Sequence, residues 1–111
     1  EGPPKIEKKE GSVSEIFDGD FFVFKHIDLT EINEIAIKCT MRSDREVGGK
    51  IEIRLDKVDG TLLGEVEFTE TGEKSIPIAP QNAMHKIYLV FKTTGDRNKQ
   101  IVMFDWIAFI K

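Results

Sequence analysis

The amino-acid sequence predicts an all-β fold, a two-sheet antiparallel β-sandwich of jelly-roll type, on three observations. In the stretch 48–66, GGKIEIRLDKVDGTLLGEV, Ile51, Ile53 and Leu55 alternate with Glu52, Arg54 and Asp56. One face of a pleated strand is thereby apolar and the other charged. Period-two alternation continues along most of the chain, punctuated by Gly, Asn, Asp and Pro at the spacing of short strands. The chain has 111 residues, read as a single domain over 1–111. About eight antiparallel strands around one core of that size are best accommodated by two packed sheets.

Strands are expected at 12–17, 21–27, 34–42, 50–57, 62–68, 74–78, 86–93 and 100–110. The second opens on Phe21-Phe22-Val23-Phe24 and is apolar on both faces. Residues 28–33 offer at most one turn of helix, since Leu29 with Ile32 is too short a pattern. Ile35, Ile37, Cys39 and Met41 line one face of the third strand. Gly48-Gly49 suits a bend or bulge before the fourth. Asp59-Gly60 reverses the chain towards the fifth, because both residues tolerate the left-handed angles of a tight hairpin. Loops are expected at 43–49, 69–73, 80–84 and 95–99. In the last strand Val102, Phe104, Trp106, Ala108 and Ile110 face one way, and Ile101, Met103, Ile107 and Phe109 the other. Such a strand is covered on both sides within the molecule, the reading we favour, or presents one face to a partner domain.

Composition excludes several classes of function. Twenty acids and sixteen bases are interspersed, with a net charge of −4, so no basic face is available for nucleic acid. No apolar run approaches the roughly 20 residues of a membrane span, and no signal-peptide pattern is visible. Glu1-Gly2-Pro3-Pro4 reads as a boundary within a longer protein or one left by processing. The single cysteine, Cys39, excludes an internal disulfide and a cysteine-based zinc cluster, and its place in an apolar alternation makes it a core thiol. The redox compartment stays open.

Four segments together resemble family 6 carbohydrate-binding modules: the entry IFDGDFFVF from Ile16, the hairpin GGKIEIRLDKVDGTLLGEV, MHKIYLVFK from Met84 and FDWIAFI from Phe104. Their order and spacing match that family and cover most of the chain. The resemblance implies a galactose-binding-like jelly roll without catalysis, appended to a glycoside hydrolase or another secreted bacterial carbohydrate-active protein. It further implies a poly- or oligosaccharide as ligand, a neighbouring catalytic domain in the same chain, and an extracellular or periplasmic location.

Sugar recognition needs an aromatic face against the apolar side of a pyranose and polar groups for its hydroxyls. The family positions that supply these correspond here to Glu15, Lys74 and Met103, so the familiar stacking platform is replaced at all three. Phe17 and Asn98 stand close enough in sequence to substitute. Trp106 is expected in the core, and Tyr88 either lines a concave outer sheet face or is an ordinary half-exposed strand residue. Asp105 stands among apolar neighbours, where a carboxylate needs a cation or several donors. The resemblance implies a structural calcium there, helped by Glu7 or Glu10, with a lysine or arginine partner as the alternative.

Catalytic readings are weak. Asp18 and Asp20 flank Gly19 as turn acids, unlike glycosidase carboxylates placed on either side of a scissile bond. His26 and His85 have no serine or cysteine nucleophile at recognisable spacing. The sequence therefore supports a non-catalytic module that targets an attached protein to a glycan. The competing reading is a structural or protein-interaction sandwich that has lost sugar binding.

Overall fold

A computed structural model describes residues 13–93 and 95–111 in full and the backbone of Lys5–Glu7. Eight strands follow in order: β1 (Lys5–Glu7), β2 (Phe21–Asp28), β3 (Glu34–Thr40), β4 (Gly49–Leu55), β5 (Leu62–Phe68), β6 (Gly72–Pro77), β7 (Met84–Lys92) and β8 (Met103–Ile110). They form two four-stranded antiparallel sheets, ordered β1-β8-β3-β6 and β2-β7-β4-β5. The all-β sandwich expected from the sequence is the fold found. Among the described residues no helix is long and apolar enough to cross a membrane.

Alternation decides what lies between the sheets. Ile35, Ile37 and Cys39 of β3 meet Ile51 and Ile53 of β4, Ile87, Leu89 and Phe91 of β7, and Phe104, Ile107 and Phe109 of β8 in one buried cluster. Phe22 joins it by edge-to-face contacts with Phe91 and Phe104, both at 5.3 Å between centroids. Cys39 is fully buried as expected, and burial pushes its thiol pKa well up.

Several local expectations are corrected. Of the strand expected at 12–17, Ser12 lies outside the described residues and residues 13–17 do not make a strand: Val13 forms one isolated bridge with Phe104, and Glu15 sits at φ 61°, outside extended geometry. Residues 28–33, where the sequence offered at most one helical turn, hold a single turn closed by Ile32 N–H donating to the Leu29 carbonyl at 3.0 Å, as that short pattern implies. At the β4–β5 connection the left-handed residue is Asp56 (φ 67°), whereas Asp59 and Gly60 are not left-handed. The link is a longer loop containing a turn in which Gly60 N–H donates to Lys57 O at 3.0 Å, glycine's favoured final turn position. Gly48 does provide the bend before β4, with φ +86° and no room for a Cβ, which would lie 2.6 Å from the Phe68 carbonyl.

In β8 the register slips opposite Lys38 and Cys39, so Asp105 is the extra residue of a bulge. Phe104 faces the core, while Trp106 pairs with Lys38 on the outer face, half-buried and outside the core cluster. A strict period of two had placed Trp106 beside Phe104; the bulge separates them.

Candidate functional site

The loop end of the sandwich is assembled by backbone bonds between distant segments. Val13 and Phe104 exchange N–H to carbonyl bonds at 2.8 and 2.9 Å, and Ile101 N–H donates to Ile16 O at 2.8 Å. Residues 13–16 thus run as a short ribbon against 101–104, and Glu15 N–H also donates to Gln100 Oε1 at 3.2 Å. The chain turns at Gly19 (φ 91°) and enters β2, pinned where Gly19 N–H donates to Phe91 O and Phe91 N–H donates to Asp20 O.

Between ribbon and strand entry lies a hollow of about 350 Å³, lined by residues 13–16 and 19–22. Its polar lining includes the exposed carboxylates Glu15 and Asp20 and the Ser14 hydroxyl; its apolar lining includes Phe21 and Phe22. Phe22 points into the core, so Phe21, on the opposite parity, points out and remains 47% exposed. Its ring lies 5.6 Å from that of Tyr88, tilted by 38°. A half-open aromatic face beside a polar hollow can receive the apolar side of a pyranose while nearby oxygens take its hydroxyls.

The sequence-selected residues fall around this hollow unevenly. Glu15 lines it. Met103, half-buried opposite Thr40, belongs to the strand that pairs with residues 13–16. Phe17 is half-buried in the turn, where its N–H donates to Asp20 Oδ2 at 2.9 Å, and it does not line the hollow. Asn98 is exposed on the next loop, in a turn closed by its N–H to Asp96 Oδ1. That loop is tied in through Arg97 Nε, 3.0 Å from Asp18 Oδ2. Lys74 is exposed on β6, separated from β8 by β3. Phe21 was missed because an apolar pair Phe21-Phe22 looks like core from either side. The signal was present in the parity Phe21, Val23, Lys25, which ends on a charge.

The two turn acids act on the backbone. Asp18 Oδ1 accepts from Thr93 N–H at 2.9 Å; that bond, then the charges of Arg97 and Lys92, holds the carboxyl below its ordinary range. A second hollow, about 220 Å³, is lined by His26, Asp56, Met84, His85 and Lys86. His85 Nδ1 lies 2.9 Å from Asp56 Oδ2, and this bond, with Lys86 N–H on Oδ1, lowers the Asp56 pKa. No hydroxyl or thiol side chain is among the lining residues of this hollow.

Asp105 Oδ2 accepts from Thr40 Oγ1 at 2.8 Å and pairs with Lys38 Nζ at 3.5 Å. Among the described residues no three acids, histidines or cysteines gather around a common point, and the side chains of Glu7 and Glu10 lie outside them. Among the described residues Asp105 therefore has the lysine partner that the sequence offered as the alternative to calcium, together with a hydroxyl donor.

A jelly-roll sandwich with a half-exposed aromatic face at a polar hollow has the architecture of a binding module rather than an enzyme. The chain belongs to family 6 of the carbohydrate-binding modules, whose family model, "Carbohydrate binding module (family 6)", matches residues 3–111. It is accordingly a non-catalytic, sugar-binding domain of that family. It is 31% identical over 103 residues to an arabinoxylan arabinofuranohydrolase of Bacillus subtilis, covering 87% of this chain and 19% of that protein. The chain thus spans about a fifth of that relative's length. A family 6 module of Clostridium cellulolyticum in complex with xylose matches with a TM-score of 0.78 and 26% identity, over 99% of this chain and 88% of that one. A family 43 arabinoxylan arabinofuranohydrolase structure from Bacillus subtilis, in complex with cellotetraose, matches with a TM-score of 0.76 and 27% identity, over 90% and 21% of the two chains.

Proposed function

We propose that this module anchors a longer carbohydrate-active protein to a xylan-type polysaccharide, with Phe21 as the stacking platform. The observation that carries this is the Phe21 ring, 47% exposed and supported by Tyr88, at the rim of the hollow that Glu15 lines. The ligand class is supported by the xylose complex of one structural relative and by the matched relative being an arabinoxylan arabinofuranohydrolase. That hydrolase also supports a neighbouring catalytic domain and work outside the cytoplasm, in the extracellular space or periplasm. Glu15 and Ser14 supply hydrogen bonds within the hollow.

One ring and a few hydrogen bonds give binding of roughly micromolar to millimolar strength. Affinity electrophoresis in gels containing arabinoxylan, with β-1,3-glucan gels as comparison, tests the proposal. Retardation by arabinoxylan that is lost in Phe21→Ala supports it. Unretarded migration across a broad polysaccharide panel refutes it and favours a sandwich that serves structure or protein contact alone.

A further inference from the structure

The outer face of the β2-β7-β4-β5 sheet is organised in cross-strand rows. Phe21 lies opposite Val90, and Val23 opposite Tyr88; on the far side of β7, Arg54 lies opposite Tyr88 and Lys50 opposite Lys92. Like charges directly opposite one another destabilise a sheet unless a counter-charge intervenes. Glu65 supplies one for Lys50 at 3.6 Å, with Glu67 opposite on β5, and Glu52 takes Arg54 at 3.0 Å. Asp18, whose carboxylate feels the Lys92 charge, is already held by Thr93 N–H and Arg97 Nε. Among the described residues Lys92 has neither a hydrogen bond nor an ion pair through its ammonium.

Its position connects it with the aromatic platform. The backbone bonds of Phe91 to both Gly19 and Asp20 set Lys92 beside the strand entry, near the Asp18 carboxylate that feels its charge, and the β2–β7 register sets it diagonal to Phe21. Diagonal neighbours on a sheet face are about 7–8 Å apart, within a lysine's reach. Glu15 and Asp20 stand in the hollow itself. A pyranose on Phe21 therefore meets negative charge towards the hollow and an uncommitted positive charge towards β7.

The geometry points to a glycan bearing carboxylates: a uronic-acid residue at Phe21, its acid group turned to Lys92 and away from Glu15 and Asp20. This rests on Phe21 being the stacking platform. The test compares glucuronoxylan with the same polymer after its carboxyl groups are reduced to alcohols, by calorimetry or affinity electrophoresis. The acidic polymer binds about two- to fivefold tighter at low ionic strength, the range of one solvent-accessible ion pair. That preference disappears in about 1 M salt, where the Debye length is ~3 Å. It collapses in Lys92→Gln, persists in Lys92→Arg and persists in Lys57→Gln, which alters an exposed lysine on the β4–β5 loop. Equal affinity for the two polymers, or a preference undiminished in Lys92→Gln, overturns the carboxylate assignment and leaves the platform standing. Failure to bind either polymer overturns both.

Discussion

Replacing Phe21 with alanine separates sugar binding from folding, because the side chain is half in and half out of the structure. An aromatic side chain presents roughly 150–250 Å², and with 47% of Phe21 exposed about 90 Å² is left for a ligand. A pyranose stacks on one face and covers about half of that, some 45 Å²; at ~25 cal/mol per Å² this is ~1 kcal/mol. The expected result is a five- to tenfold weaker association with arabinoxylan oligosaccharides, measured by isothermal titration calorimetry. The ring contact with Tyr88 is also lost, at a cost of roughly 0.5–1.5 kcal/mol against a total stability of about 5–15 kcal/mol, so the variant remains folded. A thermal melt on the same sample verifies this. Phe21→Ala that melts cooperatively and binds within about twofold of the parent would refute the platform assignment.

Three further outcomes follow from the packing. Glu46, 4% exposed, accepts from Arg42 Nη2 at 2.5 Å and from Arg42 backbone N–H at 2.6 Å, and the arginine side chain above all holds its pKa below the ordinary 4.5. A depressed folded pKa contributes stability that is present above 4.5 and lost as pH falls through the folded value. Calorimetric melting midpoints are therefore expected to fall below pH 4.5, less steeply in Glu46→Gln; equal slopes would count against this loop as the acid-labile element. Cys39, buried with a raised pKa, should stay unreactive towards a disulfide reagent at about pH 8 and titrate as one thiol in denaturant. Labelling in the native state at the denatured rate would contradict its burial. Gly60→Ala sets a Cβ 2.0 Å from the Leu55 carbonyl and so displaces the β4–β5 loop. A loss of about 1–3 kcal/mol in urea unfolding is expected, with the m-value unchanged, and no loss would show that the loop relaxes freely.

Alternation was sufficient to identify both strands of the hairpin, because Ile51, Ile53 and Leu55 can be buried together only on one face of an extended chain. It failed where a bulge changes parity without changing composition. Asp105 is one extra residue in β8, and that residue moves Trp106 from the expected core face to the outer one. It failed again at 13–17, where the apolar residues Val13 and Ile16 are real core contacts held by isolated bonds to 104 and 101. Glu15, singled out through its place before the glycine-aspartate turn, lines the hollow on which the proposal rests. Phe21 and Lys92 were not, since they adjoin only through the β2–β7 register.

By itself the sequence determined the class of fold and the family, because these depend on periodicity, turn residues and local motifs that are properties of neighbouring positions. The family resemblance further implied that Glu15, Lys74 and Met103 stand where the customary sugar contacts would be. Only the tertiary structure decided which aromatic residue takes a solvent-facing position and which cation stands beside it. Phe21 and Lys92 are 71 positions apart. They become neighbours through antiparallel pairing, and whether a side chain there meets core or solvent is set by the second sheet, which covers one face of β2 and leaves the other open.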